Sequence, residues 1–294
     1  MTTACAPRAA GSMKDYLALA KPRITMMVAL CAAAGYMLAS HGPVDWPRLL
    51  WTVAGVALAS ASTGCLNQVL EADLDARMKR TCRRPIPLGT VSPAAAHALG
   101  LLWGAAGLIL LAWKVNGISC ALTAFTLVSY LLVYTPMKRF TPLSTWVGAI
   151  PGALPPVIGW TAAGGALDAS AAVLFAVQFL WQMPHFLALA WLYREDYALG
   201  GYRVVSVTDP TGAELAWQMS VTAALLLAVS ILPFGLGLAG RAYLFTAMSL
   251  GALFLVLALA AARELTTASA RRVFLASLVY LPFVLAALVA DRRP

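Results

Sequence analysis

The stretch Asn67-Gln68-Val69-Leu70-Glu71-Ala72-Asp73-Leu74-Asp75-Ala76-Arg77-Met78-Lys79-Arg80-Thr81-Cys82-Arg83-Arg84-Pro85 sets oxygen ligands and bases in close succession. On a continuous helix Asn67, Glu71 and Asp75 recur every fourth residue, within an arc of about 80° and a rise of about 12 Å. One amide oxygen and two carboxylates on one face form a hard-oxygen set suited to Mg²⁺. That ion takes one or two protein carboxylates together with water and phosphate oxygens. Asp73 points to a different face unless the helix unwinds there. Arg77, Lys79, Arg80, Arg83 and Arg84 follow as donors for phosphate, which arginine can grip through two parallel N–H bonds. A solvated loop of mutually neutralising charges is the alternative; three oxygen ligands in register, with five bases behind them, favour metal and phosphate.

A second acidic run is Trp191-Leu192-Tyr193-Arg194-Glu195-Asp196-Tyr197-Ala198-Leu199-Gly200-Gly201-Tyr202-Arg203. Asp196 could complete a shared metal site, hold Arg and Lys in place, or simply end a helix in water. Tyr134-Thr135-Pro136-Met137-Lys138-Arg139 offers two adjacent cations, which either contact phosphate or orient the chain. Lys21-Pro22-Arg23 could reach the same mouth. In Gln182-Met183-Pro184-His185-Phe186, His185 is the one histidine deep in an apolar run; His41 falls in a loop and His97 near a span's start. Ionisable residues inside a membrane are functional candidates, the alternative being a neutral ring satisfied by a neighbouring carbonyl.

The elements that must position these residues are membrane helices. The chain has 294 residues, 61% hydrophobic and 11% charged, with a mean hydropathy of +0.79. Water-soluble domains carry about 25% charged residues, so a soluble or disordered chain is excluded. Apolar runs near 20 residues predict nine spans at about 24–40, 49–70, 94–113, 117–134, 144–163, 169–192, 215–238, 242–262 and 273–290. The first run is long for a cleaved leader and reads as a retained helix. Cys31, Cys65 and Cys120 lie in apolar runs without CxxC spacing, so no disulfide framework or zinc site is expected.

The net charge is +9, which reads as orientation charge rather than a nucleic-acid surface. Alternate loops divide Lys and Arg 16 to 5, the larger share lying with the N-terminus. Positive loops stay inside, so the N-terminus is expected in the cytoplasm and the C-terminus in the periplasm. The same side also carries nine of the twelve acids, more than orientation alone requires. The long loops 71–93 and 193–214 are four spans apart, a weak sign of an internal repeat. The expected architecture is all-α: one domain over 1–294, a polytopic bundle of nine transmembrane helices around an intramembrane cavity.

The pattern Asn67-x-x-x-Glu71-x-Asp73-x-Asp75-x-x-Met78-x-Arg80-Thr81-x-x-Arg84-Pro85 resembles the first aspartate-rich motif of the UbiA-type intramembrane prenyltransferases, and within them the branch that farnesylates heme b. Tyr134-Thr135-Pro136-Met137-Lys138-Arg139 is similar to that branch's YTxxLKR segment, with Met137 for Leu, and a PHF segment like Pro184-His185-Phe186 occurs there. Glu71 stands where the superfamily usually has Asp, and Gly200 where its second motif usually has another Asp; a reduced second motif is itself similar to the heme branch. The resemblance implies farnesyl diphosphate as donor, a heme b vinyl group as acceptor, Mg²⁺ as cofactor and heme O as product. It implies Asn67, Glu71, Asp75 and Asp196 as catalytic metal-site residues. Arg77, Lys79, Arg80, Arg84, Lys138 and Arg139 would bind diphosphate, with His185, Tyr134 and Arg23 near the heme. The lipid bilayer of a bacterial inner membrane is the expected setting, with heme A synthase or terminal-oxidase assembly factors as candidate partners. The competing readings are polyprenyl transfer to an aromatic acid or quinone precursor and, less favoured, a secondary transporter. Transporters place ion sites near the midplane, whereas these acids gather at one surface.

Overall fold

The computed structural model describes residues 11–40 and 42–293, so His41 lies outside it, as do the first ten residues. A short helix α1 (Met13–Leu19) leads into α2 (Pro22–Ala39) and α3 (Trp46–Leu70). One turn, α4 (Ala72–Asp75), precedes the loop to α5 (Pro93–Lys114). Next comes α6 (Gly117–Met137), the fourth helix of membrane-crossing length. The second half holds α7 (Ser144–Gly152), α8 (Pro155–Ala162), α9 (Ala169–Leu192), α10 (Arg194–Gly200), α11 (Ala213–Val229), α12 (Arg241–Glu264) and α13 (Thr267–Ala290). Helix starts follow local chemistry: Ser92 accepts from the Ala95 amide ahead of α5, and Asp168 accepts from the Ser170 and Ala171 amides ahead of α9.

Among the described residues, eight helices are long and apolar enough to cross a bilayer. The expected span over 144–163 is instead two half-helices, α7 and α8, which explains a count of eight against nine. Pro155 and Pro156 lack the N–H groups that a continuous helix would use. Gln182 of α9 donates to the Ala149 carbonyl at 2.8 Å, so polar backbone beside the break has a buried side-chain partner. The break also lets α8 touch α2 backbone to backbone. A Cβ on Gly159 would fall 1.8 Å from the Ala32 carbonyl oxygen, and one on Gly35 would fall 1.9 Å from that of Pro156. Small residues permit such crossings in membranes, where packing rather than water exclusion holds helices together.

The largest core joins α9, α11, α12 and α13 through Trp181, Leu187, Met219, Phe254, Tyr280 and Leu281. Leu102, Phe125, Leu132, Phe245, Val256 and Phe283 are exposed, an outward apolar band that suits lipid. The two long loops, four crossings apart in sequence, meet in space: Leu74 and Met78 pack on Tyr202 and Val204.

Candidate active site

The helix phase that sets the acids in register survives a local interruption. α3 stops at Leu70, and Glu71 has φ −109° and ψ 8°, yet the Asp75 amide still bonds the Glu71 carbonyl at 2.8 Å. Asn67, Glu71 and Asp75 are all buried, while Asp73 turns outward. Asn67 Nδ2 donates to Glu71 Oε2 at 2.9 Å and to Thr135 Oγ1 at 3.2 Å. Thr135 reaches that place because α6 closes with a π-helical stretch, Ser129–Tyr134. Such widened turns are rare and gather at functional sites.

Three cations face the acids. Lys138 pairs with Glu71, and its ammonium also lies 5.0 Å from the Tyr134 ring centroid and 5.3 Å from that of Tyr202. Arg84 pairs with Asp75 at 2.5 Å. Lys21 Nζ donates to Asn67 Oδ1 at 3.1 Å. Lys21 holds a left-handed backbone, φ 47°, a conformation that costs a non-glycine residue energy and collects at functional sites.

The local field follows from burial and charge. Burial opposes the charge of Glu71, but Lys138, Lys21 and a hydrogen bond from Tyr202 outweigh it and hold the carboxyl below the usual range. Asp75 goes the other way: burial raises it, and Arg84 only partly offsets the effect. Burial, then the charge of Arg84, lowers the Lys21 ammonium to about 7. Between about 7 and the ordinary 10.5 the unfolded chain binds the extra proton, so stability rises with pH across that window. The substrate-free, metal-free protein in detergent is therefore expected to melt later at pH 9 than at pH 7. Lys21→Met should flatten that rise; an equal rise in the variant would reject the assignment.

A cavity of about 390 Å³ is lined by Lys21, Gln68, Arg80, Arg83 and Arg84 among others; Lys21 and Arg84 connect it to Asn67 and Asp75, which do not line it themselves. Arg80, Arg83 and Arg84 of the expected phosphate donors thus share one recess, with Lys21 added to them. Arg77 and Lys79 are exposed and do not line it. Arg139 bonds the Leu70 carbonyl at 2.9 Å and Asp73 at 3.3 Å, so it fastens the end of α3. Arg23 is exposed.

Asp196 takes the holding arrangement. Its two carboxylate oxygens accept from the Lys79 amide at 3.2 Å and the Arg80 amide at 3.1 Å, which fixes the basic loop. The neighbouring Gly200 has a steric reason: a Cβ there would lie 3.0 Å from Met78 Sδ and 3.1 Å from its Cγ. Gly200→Asp is expected to destabilise the protein by about 1–3 kcal/mol through overpacking. An unchanged melting temperature in detergent would refute this.

Thr135, Tyr202 and Lys21 are the participants that sequence reasoning missed or weighted low. Lys21 had a signal in its motif; Tyr202, 131 residues beyond Glu71, had none. Deeper in the bundle, His185 Nδ1 lies 2.7 Å from Ser277 Oγ, and its ring stacks on Trp181 at 5.4 Å. Ser277 spends its proton on the Phe274 carbonyl at 2.6 Å. With that proton on the carbonyl, Ser277 accepts from His185, an assignment that puts the imidazole proton on Nδ1 and the lone pair on Nε2.

Among the described residues no three His, Cys, Asp or Glu side chains converge as a metal cage. The donor set nevertheless fits Mg²⁺, which needs only one or two protein carboxylates when phosphate and water supply the rest. Asp75 Oδ1 is buried with no hydrogen-bond partner among the described residues, an acceptor without a donor one helical turn beyond the Glu71–Asn67 pair.

Residues 28–281 match the family description "UbiA prenyltransferase family". A protoheme IX farnesyltransferase of Solibacter usitatus is 43% identical over 289 residues, spanning 95% of this chain and 99% of the relative. A solved digeranylgeranylglyceryl phosphate synthase shares the fold with a TM-score of 0.79 at 18% identity, over 95% of this chain and 98% of that one. A UbiA homologue of Archaeoglobus fulgidus, solved with GPP and Mg²⁺ bound, gives 0.65 at 14% identity over 93% and 99%. On the family match and the near full-length likeness to the Solibacter protein, the chain belongs to the UbiA prenyltransferase family.

Proposed function

We propose that this chain transfers the farnesyl group of farnesyl diphosphate to a vinyl group of heme b, with addition of water, giving heme O and diphosphate. The observation that carries the reading is that Lys21 and Arg84, which bond Asn67 and Asp75 of the buried Asn67–Glu71–Asp75 set, also line a cation-rich cavity, in a chain whose near full-length relative is named for this reaction. Asn67, Glu71 and Asp75 would hold Mg²⁺, which when bound supplies positive charge to the diphosphate oxygens. Lys21, Arg80, Arg83 and Arg84 bind and orient the diphosphate and oppose the charge that builds on its leaving oxygen. Lys138 serves from the Glu71 side, and Tyr134 and Tyr202 keep it in place. Asp196, through the Lys79 and Arg80 amides, positions the loop. Arg77, Lys79 and Arg139 act at its rim. The apolar bundle keeps water from the allylic cation until the vinyl carbon has attacked.

His185 presents Nε2 as its lone-pair nitrogen toward the heme neighbourhood, shared with Tyr134, while Arg23, exposed and facing outward, takes no part in it. His185→Ala is expected to weaken heme binding about tenfold, by the loss of one contact to a charged or metal centre, and to leave farnesyl diphosphate binding unchanged. Heme titration by absorbance checks this, and equal loss of both ligands would return His185 to a packing role.

The protein works as a single domain in the inner membrane of a bacterium, N-terminus in the cytoplasm and C-terminus in the periplasm, passing its product to heme A synthase or oxidase assembly factors. Purified protein given heme b, farnesyl diphosphate and Mg²⁺ should release diphosphate and form a heavier, more apolar heme, detected by mass. Turnover of an aromatic acid instead of heme b would overturn the reading.

A further inference from the structure

At the opposite end of α3 lies a second recess. It has a volume of about 400 Å³ and is lined by Asp45, Arg48, Trp51, Trp113 and Lys114 among others. Arg48 and Glu71 are 23 residues apart, about 34 Å along a helix, so the recess is remote from the site described above. Arg48 Nη2 donates to the Val115 carbonyl at 3.0 Å, which ties the start of α3 to the end of α5. Its Nε is buried without a hydrogen-bond partner among the described residues. Among the described residues neither Arg48 nor Lys114 belongs to an ion pair. A half-buried guanidinium with no counter-ion is costly, and an anion would offset that cost.

The surroundings identify the anion's source. Trp46, Trp51 and Trp113 are exposed around the two cations, and tryptophans gather where hydrocarbon meets head groups. Asp45 adds a carboxylate on the rim; one of its oxygens accepts from the Arg48 amide at 3.1 Å. A carboxylate accepts and never donates. We propose that this recess binds a membrane phospholipid with an ammonium-bearing head group, phosphatidylethanolamine being the type. Its phosphodiester lies between Arg48 and Lys114, its ammonium on Asp45, and its acyl chains along the apolar faces of α3 and α5.

The test is native mass spectrometry of the delipidated full chain, titrated with phosphatidylethanolamine, phosphatidylcholine or inorganic phosphate. Phosphatidylethanolamine should give one saturable adduct. Phosphatidylcholine, whose head group has no hydrogen to donate, should bind about tenfold more weakly, and inorganic phosphate should not protect the protein against heat. Lys114→Ala changes an exposed residue and should fold normally. Losing one charge-assisted contact, it should weaken phosphatidylethanolamine about tenfold, as should Asp45→Asn. Arg48→Gln should do the same while farnesyl transfer in detergent stays at its original rate. Equal binding of the two lipids, or undiminished binding by Lys114→Ala and Asp45→Asn, would overturn the proposal. Saturable protection by phosphate alone would overturn the lipid as the occupant.

Discussion

Glu71→Gln is expected to lower kcat by about 10²–10³, the usual effect of removing one preorganised electrostatic contact at a reacting centre. The residue is buried, hydrogen-bonded to Asn67 and paired with Lys138, so its charge sits where the diphosphate and its cation must meet. Glutamine removes the charge but keeps the shape, the Asn67 neighbour and a carbonyl oxygen for the half-buried Lys138, whereas alanine would also open a cavity and mix folding with function. Steady-state kinetics in detergent, beside a melting curve, separate the two effects. A variant with unaltered kcat would remove Glu71 from the metal assignment.

Arg84→Met should produce the second large effect, on stability as well as on binding. Its guanidinium holds Asp75 at 2.5 Å, and the Asp75 side chain is 1% exposed. Removing one partner of such a buried pair costs about 3–5 kcal/mol because the other charge is left uncompensated. Arg84 also lines the cation-rich cavity, so the apparent affinity for farnesyl diphosphate should fall at least about tenfold, the value of one charge-assisted hydrogen bond. The double variant Asp75→Asn with Arg84→Met separates these roles. It should recover most of the stability, having no unpaired charge, and none of the turnover. Recovery of activity along with stability would mean that the pair is architectural only.

The sequence revealed what local spacing can encode. Asn67, Glu71 and Asp75 recur at the helical period, and that phase persists because the Asp75 amide bonds the Glu71 carbonyl even where the helix is interrupted. Long apolar runs likewise disclose the crossings, since each must satisfy its own backbone in lipid. Two kinds of information were out of reach. One is how far a crossing breaks: the prolines of 144–163 mark a kink in the sequence, but its division into two half-helices, with Gln182 on the Ala149 carbonyl, belongs to the fold. The other is which distant side chains converge. Thr135 reaches Asn67 through a π-helical stretch that no propensity predicts. Tyr202 arrives by the packing of one loop on another. Lys21 enters the site through an unusual backbone angle, while Arg23, two residues on, faces outward. Asp196 was legible as important but not as a ligand of backbone amides, because a lone carboxylate carries no record of its partner.

Binding of Mn²⁺, a paramagnetic substitute for Mg²⁺, measured by electron paramagnetic resonance with farnesyl diphosphate present, tests the metal-and-diphosphate mouth most directly. The wild-type protein should take up Mn²⁺ saturably, more tightly with the diphosphate than without it. A Glu71→Gln, Asp75→Asn double variant that is still folded should lose that uptake. Undiminished Mn²⁺ binding by the double variant would contradict the assignment of these carboxylates and, with it, the proposed route by which the diphosphate leaves.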